Sequence, residues 1–339
     1  MELTVIIPIY NRARMLAQAL ESLRWQTYKD FVVIVCDDAS TENLKEVVDK
    51  FTDLKIEYYH YENNVGQYRN FMRGLKLCQT TFIKYLDSDD LLFPEALEKQ
   101  IKTLQEEPSA ALCLGGILEF EEIPEQNQVN LFDYCEPYVP KLRTKRQWAR
   151  LEDYRCFNPS ACMYRTELLS GIGGFNTIVI GDWDIFVSLS SKYPVTAVNE
   201  PIFAYRFHAD QITKTDNWAS GNTVARDVLW LTSNANPYQE RLGIPLSQQF
   251  FLRLEQCWST LRTALSSNQK LFLLKKWLEI VISNKMLWPF IFAFPWFVTV
   301  KALRKPKVQT GASNNLNIEK YKNYICSILF NEKSISLSN

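Results

Sequence analysis

The segment TFIKYLDSDD, residues 81–90, runs from the apolar stretch Thr81–Leu86 straight into Asp87-Ser88-Asp89-Asp90. A short apolar run fits a strand buried on both faces, and carboxylates at its end fit the rim of a parallel sheet, where ligands bind. The same pattern recurs on either side. Leu3–Ile9 reads as a buried strand, Phe31–Cys36 as a second, followed at once by Asp37 and Asp38, and Lys55–Tyr59 as a weaker third. Between them apolar residues recur at helical spacing: Leu16, Ala19, Leu20 and Leu23; then Leu44, Val47, Val48 and Phe51, with Ser40 or Thr41 as N-cap; then Phe71, Met72 and Leu75. Pro94 opens a helix carrying Leu97, Ile101 and Leu104. Strands alternating with helices predict an α/β fold, a doubly wound and mostly parallel sheet flanked by helices.

Beyond this core, Ala110–Leu118 reads as a fifth strand and residues 119–145 as a long loop. From 146 to 208 the predicted elements are short: a helix near Trp148, a strand near Ala161–Tyr164, a turn at Gly173-Gly174 and a helix starting near Asp182. From about 217 onward only helical pattern is legible, a helical C-terminal extension, and residues 308–339 read as a polar, weakly patterned tail.

Composition narrows the function. Among 339 residues, 38 basic side chains balance 38 acidic ones, which speaks against a dedicated nucleic-acid binder. The hydrophobic share of 47% excludes a disordered chain. Residues 270–307 hold eight Lys and Arg against one Glu, so the part before them is acidic. The eight cysteines show no CxxC spacing, and the start MELTVIIPIYNR lacks the basic region of a signal peptide; a reducing, cytoplasmic setting is expected. Neither a P-loop nor a G-x-G-x-x-G fingerprint is present, and two histidines, His60 and His208, cannot make a His-rich metal site.

Three acidic groups follow apolar runs: Asp37-Asp38, Asp87-Ser88-Asp89-Asp90, and Asp182 with Asp184 after Ile178–Ile180. Packed carboxylates repel and call for a cation or hydrogen-bond donors, and hard oxygen ligands suit Mg2+ or Mn2+.

These residues, in this order, resemble family 2 glycosyltransferases. The resemblance rests on TVIIPIYN (4–11), ESLRWQT (21–27), VIVCDDAST (33–41), Asn64-Val65-Gly66 with Arg69-Asn70, the D-x-D at 87–89, Gly173-Gly174-Phe175, Gly181-Asp182-Trp183-Asp184 and Tyr205-Arg206-Phe207-His208. It covers roughly residues 1–215 and implies the GT-A fold, with a nucleotide-sugar-binding half (1–118) and an acceptor half (119–215), ahead of a helical extension (216–307) and the tail (308–339). By the same resemblance, Asp38 contacts the nucleotide base, with Pro8, Tyr10 and Asn11 lining that pocket and Arg69 reaching the donor. Asp87, Ser88 and Asp89 serve the diphosphate and its Mn2+ or Mg2+, with His208 beside the metal, and Asp182 is the general base. The implied activity is inverting, metal-dependent transfer of one sugar at a time from a UDP- or dTDP-sugar to a glycan or lipid-linked acceptor, in surface polysaccharide or glycolipid synthesis. No nucleic acid is expected as a partner. The chain departs from the family where Gly181 stands for a frequent Glu and Ala39 for a frequent Gly, and the Q-x-x-R-W of processive synthases is absent. A nucleotidyltransferase and a non-catalytic nucleotide-binding scaffold of the same fold are the competing readings.

Met286–Val300 is free of charge, contains Trp288, Trp296 and four Phe, and is flanked by Lys and Arg. Fifteen helical residues span about 22 Å, short of a hydrocarbon core of about 30 Å, and Pro289 and Pro295 oppose a straight helix. The segment suits a peripheral membrane contact on the inner face of the cell membrane, or a buried helix. On this basis residues 270–339 are expected to be dispensable for donor hydrolysis.

Overall fold

The computed structural model describes residues 1–135, 158–175, 181–190, 192–209 and 317–330, with a few isolated positions besides. By contacts the chain falls into two units. One comprises residues 1–141, 152–208 and 312–339; the other comprises 142–151 and 209–311, nearly all outside the described residues. The helix expected near Trp148, the apolar run 178–180 and the segment 286–300 also lie outside the described residues.

The first unit is built on one sheet. Strands β1 (Leu3–Ile9), β2 (Phe31–Asp37), β3 (Ile56–His60) and β4 (Phe82–Tyr85) pair in the order β3-β2-β1-β4, all parallel. Every residue of β1, β2 and β4 is buried, which is why each is mainly apolar rather than alternating, Lys84 in β4 and the closing Asp37 of β2 apart. Helices α1 (Ala13–Arg24), α2 (Leu44–Asp49) and α3 (Gln67–Leu77) make the crossovers. Gly74 lets α3 lie close on β1: a Cβ there would stand 2.5 Å from Ile6 Cγ2.

After β4 come the short β5 (Leu91–Leu92), α4 (Ala96–Glu106), β6 (Leu112–Ile123), β7 (Gln128–Cys135), β8 (Met163–Arg165), α5 (Thr166–Gly171), α6 (Gly181–Ser190) and β9 (Val195–Phe207). The sheet continues β4-β8-β6-β9-β5, with β7 also on β6. Here directions mix: β8 runs antiparallel to β4 and β6, whereas β9 is parallel to β6.

Three expectations are corrected. Residues 119–135 are no loop: β6 runs on to Ile123, and a turn with Asn127 at φ 49° returns the chain as β7. Glu119, Glu121 and Glu122 had hidden the strand, whose far end is buried mainly through Phe120. Nor are the elements before 208 all short. β9 has 13 residues, and Pro201 is accommodated where the β6–β9 register shifts around Gly116.

The third correction concerns the tail. Residues Ile318–Leu329 form a helix, α7, with Asn317 capping its start. Ile325, Ile328 and Leu329 are buried in a cluster with Leu91, Phe93, Leu118 and Phe120. The Tyr324 hydroxyl donates to Leu92 O at 2.8 Å, and its ring meets Trp25 and Phe93. Residues 317–330 are therefore packed into the first unit. Each fully buried aliphatic side chain contributes about 1.5–3 kcal/mol. A chain ending at residue 316 is expected to melt roughly 10 °C or more below the full chain in a circular-dichroism scan. An unchanged midpoint would show that α7 adds nothing to the unit.

Candidate active site

Because β1, β2 and β4 are parallel, their carboxyl ends share one edge, with Ile9 opposite Asp37 and Tyr85 opposite Ile6. Asp37-Asp38 and Asp87-Ser88-Asp89-Asp90, which follow β2 and β4, therefore gather there.

The turn after β1 is unusual. Asn11 and Arg12 are consecutive left-handed residues, at φ 58° and 69°. For L-residues this costs roughly 1–2 kcal/mol each, least for Asn. The turn is held by the loop after β2. Asn11 Oδ1 accepts from Thr41 N at 2.9 Å, Asn11 N donates to Ser40 Oγ at 2.7 Å, and the Glu42 carboxylate accepts from Arg12 N and Ala13 N at the start of α1. The result aims Arg12 at the loop after β4, where its Nη1 donates to Asp89 Oδ2 at 2.6 Å. Ala39, where a Gly was the family's habit, also sits at positive φ, 67°.

Asp37 is fully buried, and its carboxylate accepts from Ser40 N, the Tyr58 hydroxyl and His60 Nδ1. Asp38 is 3% exposed. It accepts from Val65 N, from Gly66 N at 2.8 Å and from Arg73 Nη1 at 2.7 Å. Its carboxylate thus fastens the start of α3 to the end of β2. Of the other residues expected around the base, Pro8 is buried in β1, Tyr10 is 49% exposed and Asn11 is taken up by residues 40–42; Arg69, expected to reach the donor, is exposed on α3.

In the loop after β4, Asp87 accepts from Gln67 Nε2 at 2.8 Å and from Ser160 Oγ at 3.1 Å, while its own N–H donates to Ser160 Oγ at 3.0 Å. Burial, and then the charge of Asp89, pushes the Asp87 carboxyl up to about 7. Burial works against Asp89 too, but the His208 hydrogen bond and the Arg12 charge outweigh it and hold Asp89 below the usual range. His208 Nε2 stands 3.1 Å from Asp89 Oδ2. Ser88 is buried. Asp90 Oδ1 accepts from Arg206 N at 2.8 Å, and burial, then Asp89 and Asp87, keep its carboxyl far above the usual value. Arg206, itself buried, bonds Gln18 and Glu122.

Asp182 lies in the first turn of α6, where the Tyr68 hydroxyl donates to its Oδ1 at 3.4 Å. Tyr68 is set by its ring, stacked on Phe175 at 5.3 Å and 26°. Phe175 follows Gly174, which is at φ 67° and so close to Met72 that a Cβ would stand 2.4 Å from its sulfur. Burial, then the charges of Asp182 and Asp87, raises the Tyr68 hydroxyl well above its usual pKa, so Tyr68 feels both carboxylates.

The structure thus assembles Asp87, Asp89 and His208 in one cluster, with Tyr68 bonded to Asp182 and within reach of the Asp87 charge. No sequence pattern by itself marks Arg12, Glu42, Gln67, Tyr68 or Ser160. Arg12, Glu42 and the Gln67-Tyr68 pair adjoin the motifs at 4–11, 33–41 and 64–70, whereas nothing in the sequence points to Ser160. Among the described residues, no group of three or more His, Cys, Asp and Glu side chains is arranged to hold a metal ion unaided, and no helix is long and apolar enough to cross a membrane.

The sequence model of Glycosyl transferase family 2 matches residues 4–173. The amylovoran biosynthesis glycosyltransferase AmsE of Erwinia amylovora is 26% identical over 257 residues, covering 74% of this chain and 88% of the relative. Among solved structures, S. aureus TarS 1–349 superposes with a TM-score of 0.59 at 19% identity, over 83% of this chain and 81% of that one. The same TarS segment is known in complex with UDP-GlcNAc. The mannosyltransferase PcManGT from Pyrobaculum calidifontis, in complex with GDP-Man and Mn2+, superposes with a TM-score of 0.53 at 16% identity, over 100% of this chain and 86% of that one.

Proposed function

The chain belongs to glycosyl transferase family 2 and has the GT-A fold, and from that premise we propose that it transfers single sugars, with inversion, from a nucleoside-diphosphate sugar to a hydroxyl acceptor. That it is a glycosyltransferase follows from the family; the donor, the metal and the stereochemistry are inferred from the site. The observation that supports the inference is the cluster of Asp87, Asp89 and His208 after β4, with Tyr68 bonded to Asp182 and close enough to Asp87 to feel its charge. TarS with UDP-GlcNAc and PcManGT with GDP-Man support a nucleotide-sugar donor.

Three carboxylates, Asp87, Asp89 and Asp90, crowd one loop, and burial, then their mutual charge, drives two of them toward the neutral form. A divalent cation fits such a surplus, and Mg2+-type sites on nucleotides need only one or two protein carboxylates. Asp89 and Asp87 would hold it, with His208 against Asp89. When bound, the cation offsets charge building on the leaving diphosphate. Arg12, already on Asp89, adds a fixed positive group at the same place. Asp182 takes the proton from the acceptor hydroxyl, and Tyr68 fixes the orientation of its carboxylate. Attack in line with the departing diphosphate inverts the anomeric carbon.

The base is bound, in this proposal, at the edge formed by Tyr10 and the residues that Asp38 fastens, with UDP or dTDP as the nucleotide. Asp38→Asn weakens the ion pair to Arg73 and the grip on Val65 and Gly66. Losing a charge-assisted hydrogen bond costs about 1.5–3 kcal/mol. The donor KM is expected to rise about tenfold or more with a smaller fall in kcat. A pure kcat effect in steady-state assays would contradict the assignment.

The acceptor is proposed to be a glycan or lipid-linked sugar, with residues 286–300 resting at the membrane interface. The full-length protein is then expected to pellet with anionic liposomes at low salt and to be partly released at high salt. Failure to pellet would favour a buried segment. A screen of nucleotide sugars for hydrolysis with Mn2+ or Mg2+ tests the function as a whole; no turnover of any donor would overturn it.

A further inference from the structure

Directly beneath the acidic loop, β4 carries a lysine in a position where every neighbour along the strand is apolar and buried. Lys84 is 0% exposed. Its Nζ donates to Gln100 Oε1 at 2.8 Å, to Ser160 O at 2.8 Å and to Cys162 O at 3.4 Å. Gln100, equally buried on α4, turns its Nε2 to Ala161 O at 2.8 Å and to Cys113 O at 3.1 Å. The two side chains therefore hold three successive carbonyls, those of residues 160, 161 and 162. From the other side Asn158 Oδ1 accepts Ser160 N at 2.7 Å. The short turn Pro159–Ala161 is thus pinned at almost every polar atom, and the side chain it presents is Ser160.

Ser160 Oγ grips Asp87 twice, accepting its N–H and donating to its carboxylate. A buried ammonium surrounded by neutral acceptors is costly, and here burial lowers the lysine pKa to about 7. A methionine of equal length would fill the same space without that cost. The contacts connect this expensive group to the loop after β4 through one residue.

We propose that Lys84 and Gln100 are positioning residues for the glycosyl-transfer site, acting on Asp87 through Ser160. The inference rests on Asp87 and Asp89 as the cation-binding pair. Groups that orient a metal-binding carboxylate typically influence affinity about 10- to 100-fold.

The test is a double-mutant cycle on the full-length protein, with Mn2+ binding read by electron paramagnetic resonance in the presence of UDP. Lys84→Met and Ser160→Ala are each expected to weaken Mn2+ binding about tenfold, and the double variant no further. Lys84→Gln keeps a donor for the Ser160 carbonyl and should recover most of the affinity. Independent losses that multiply to about a hundredfold would overturn the proposal, as would a Lys84→Met variant that binds Mn2+ like the wild type. Hydrogen exchange gives a readout that needs no metal. Exchange at residues 86–90 should quicken in Lys84→Met as it does in Ser160→Ala. Quickening confined to 158–162 would make Lys84 a core residue only and overturn the proposal. If Lys84→Met does not fold, Gln100→Leu frees the Ala161 carbonyl and is read in the same way. A wild-type protein that binds no Mn2+ would remove the metal from the proposed function, while the exchange comparison would still decide the coupling to Asp87.

Discussion

Asp89→Ala is expected to lower kcat/KM by about a thousandfold, with the fold intact. The side chain is the meeting point of Arg12 and His208, which approach the same oxygen at 2.6 and 3.1 Å. Removing it takes away the charge that a divalent cation would bind and leaves two cationic or polar groups facing each other with no anion between them. Stabilisation of a leaving diphosphate by a cation is worth several kcal/mol, and each 1.4 kcal/mol is about tenfold in rate. Asp87→Ala is expected to be milder. It relieves repulsion with Asp89 and Asp90, and one carboxylate can suffice for a nucleotide-bound cation. The same prediction can be made without mutation. Excess chelator should stop donor turnover, and added Mn2+ or Mg2+ should restore it. Full turnover in chelator would dismiss the cation and leave Arg12 as the electrostatic partner of the donor.

Where the sequence was legible, the reason was burial on both faces. β1, β2 and β4 are mainly apolar because each lies inside the sheet, Lys84 being the buried exception in β4, and such runs announce both the strand and its end. The carboxylates at those ends could be found because the topology puts every parallel strand's end on one rim. Legibility failed where one face is polar or a breaker intervenes. β6 loses its pattern among Glu119, Glu121 and Glu122, and β9 contains Pro201. α7 shows only Ile325, Ile328 and Leu329 as a buried stripe among Lys, Asn and Tyr, and its tyrosines contribute the remaining contacts. The partners of the carboxylates were hidden for a different reason. Ser160 reaches Asp87 across 73 residues of chain and Tyr68 reaches Asp182 across 114, so no local pattern marks either pair. Asp38 was legible as important from its place after β2, but its partners at 65, 66 and 73 are visible only once α3 is laid on the sheet.

Asp182→Asn is expected to abolish transfer to acceptor while leaving folding and donor binding unchanged. The amide is nearly isosteric, and its oxygen can still accept the Tyr68 hydroxyl, so the first turn of α6 has no reason to move. What it cannot do is take a proton at neutral pH. General-base catalysis contributes about 10²–10⁴-fold, so transfer should fall at least a hundredfold, measured with saturating donor and acceptor. Tyr68 offers the complementary variant. Its hydroxyl, pushed well above its usual pKa by burial and by Asp182, stays protonated throughout the working pH range and cannot itself serve as the base. Tyr68→Phe removes a hydrogen bond but no proton acceptor. It should cost about 0.5–1.5 kcal/mol, or roughly two- to tenfold in kcat, with the donor KM little changed. The two variants therefore separate proton transfer from orientation. Should Asp182→Asn keep more than about a tenth of wild-type transfer, the base lies elsewhere, and Asp184, two residues along the same helix, is the carboxylate to replace next.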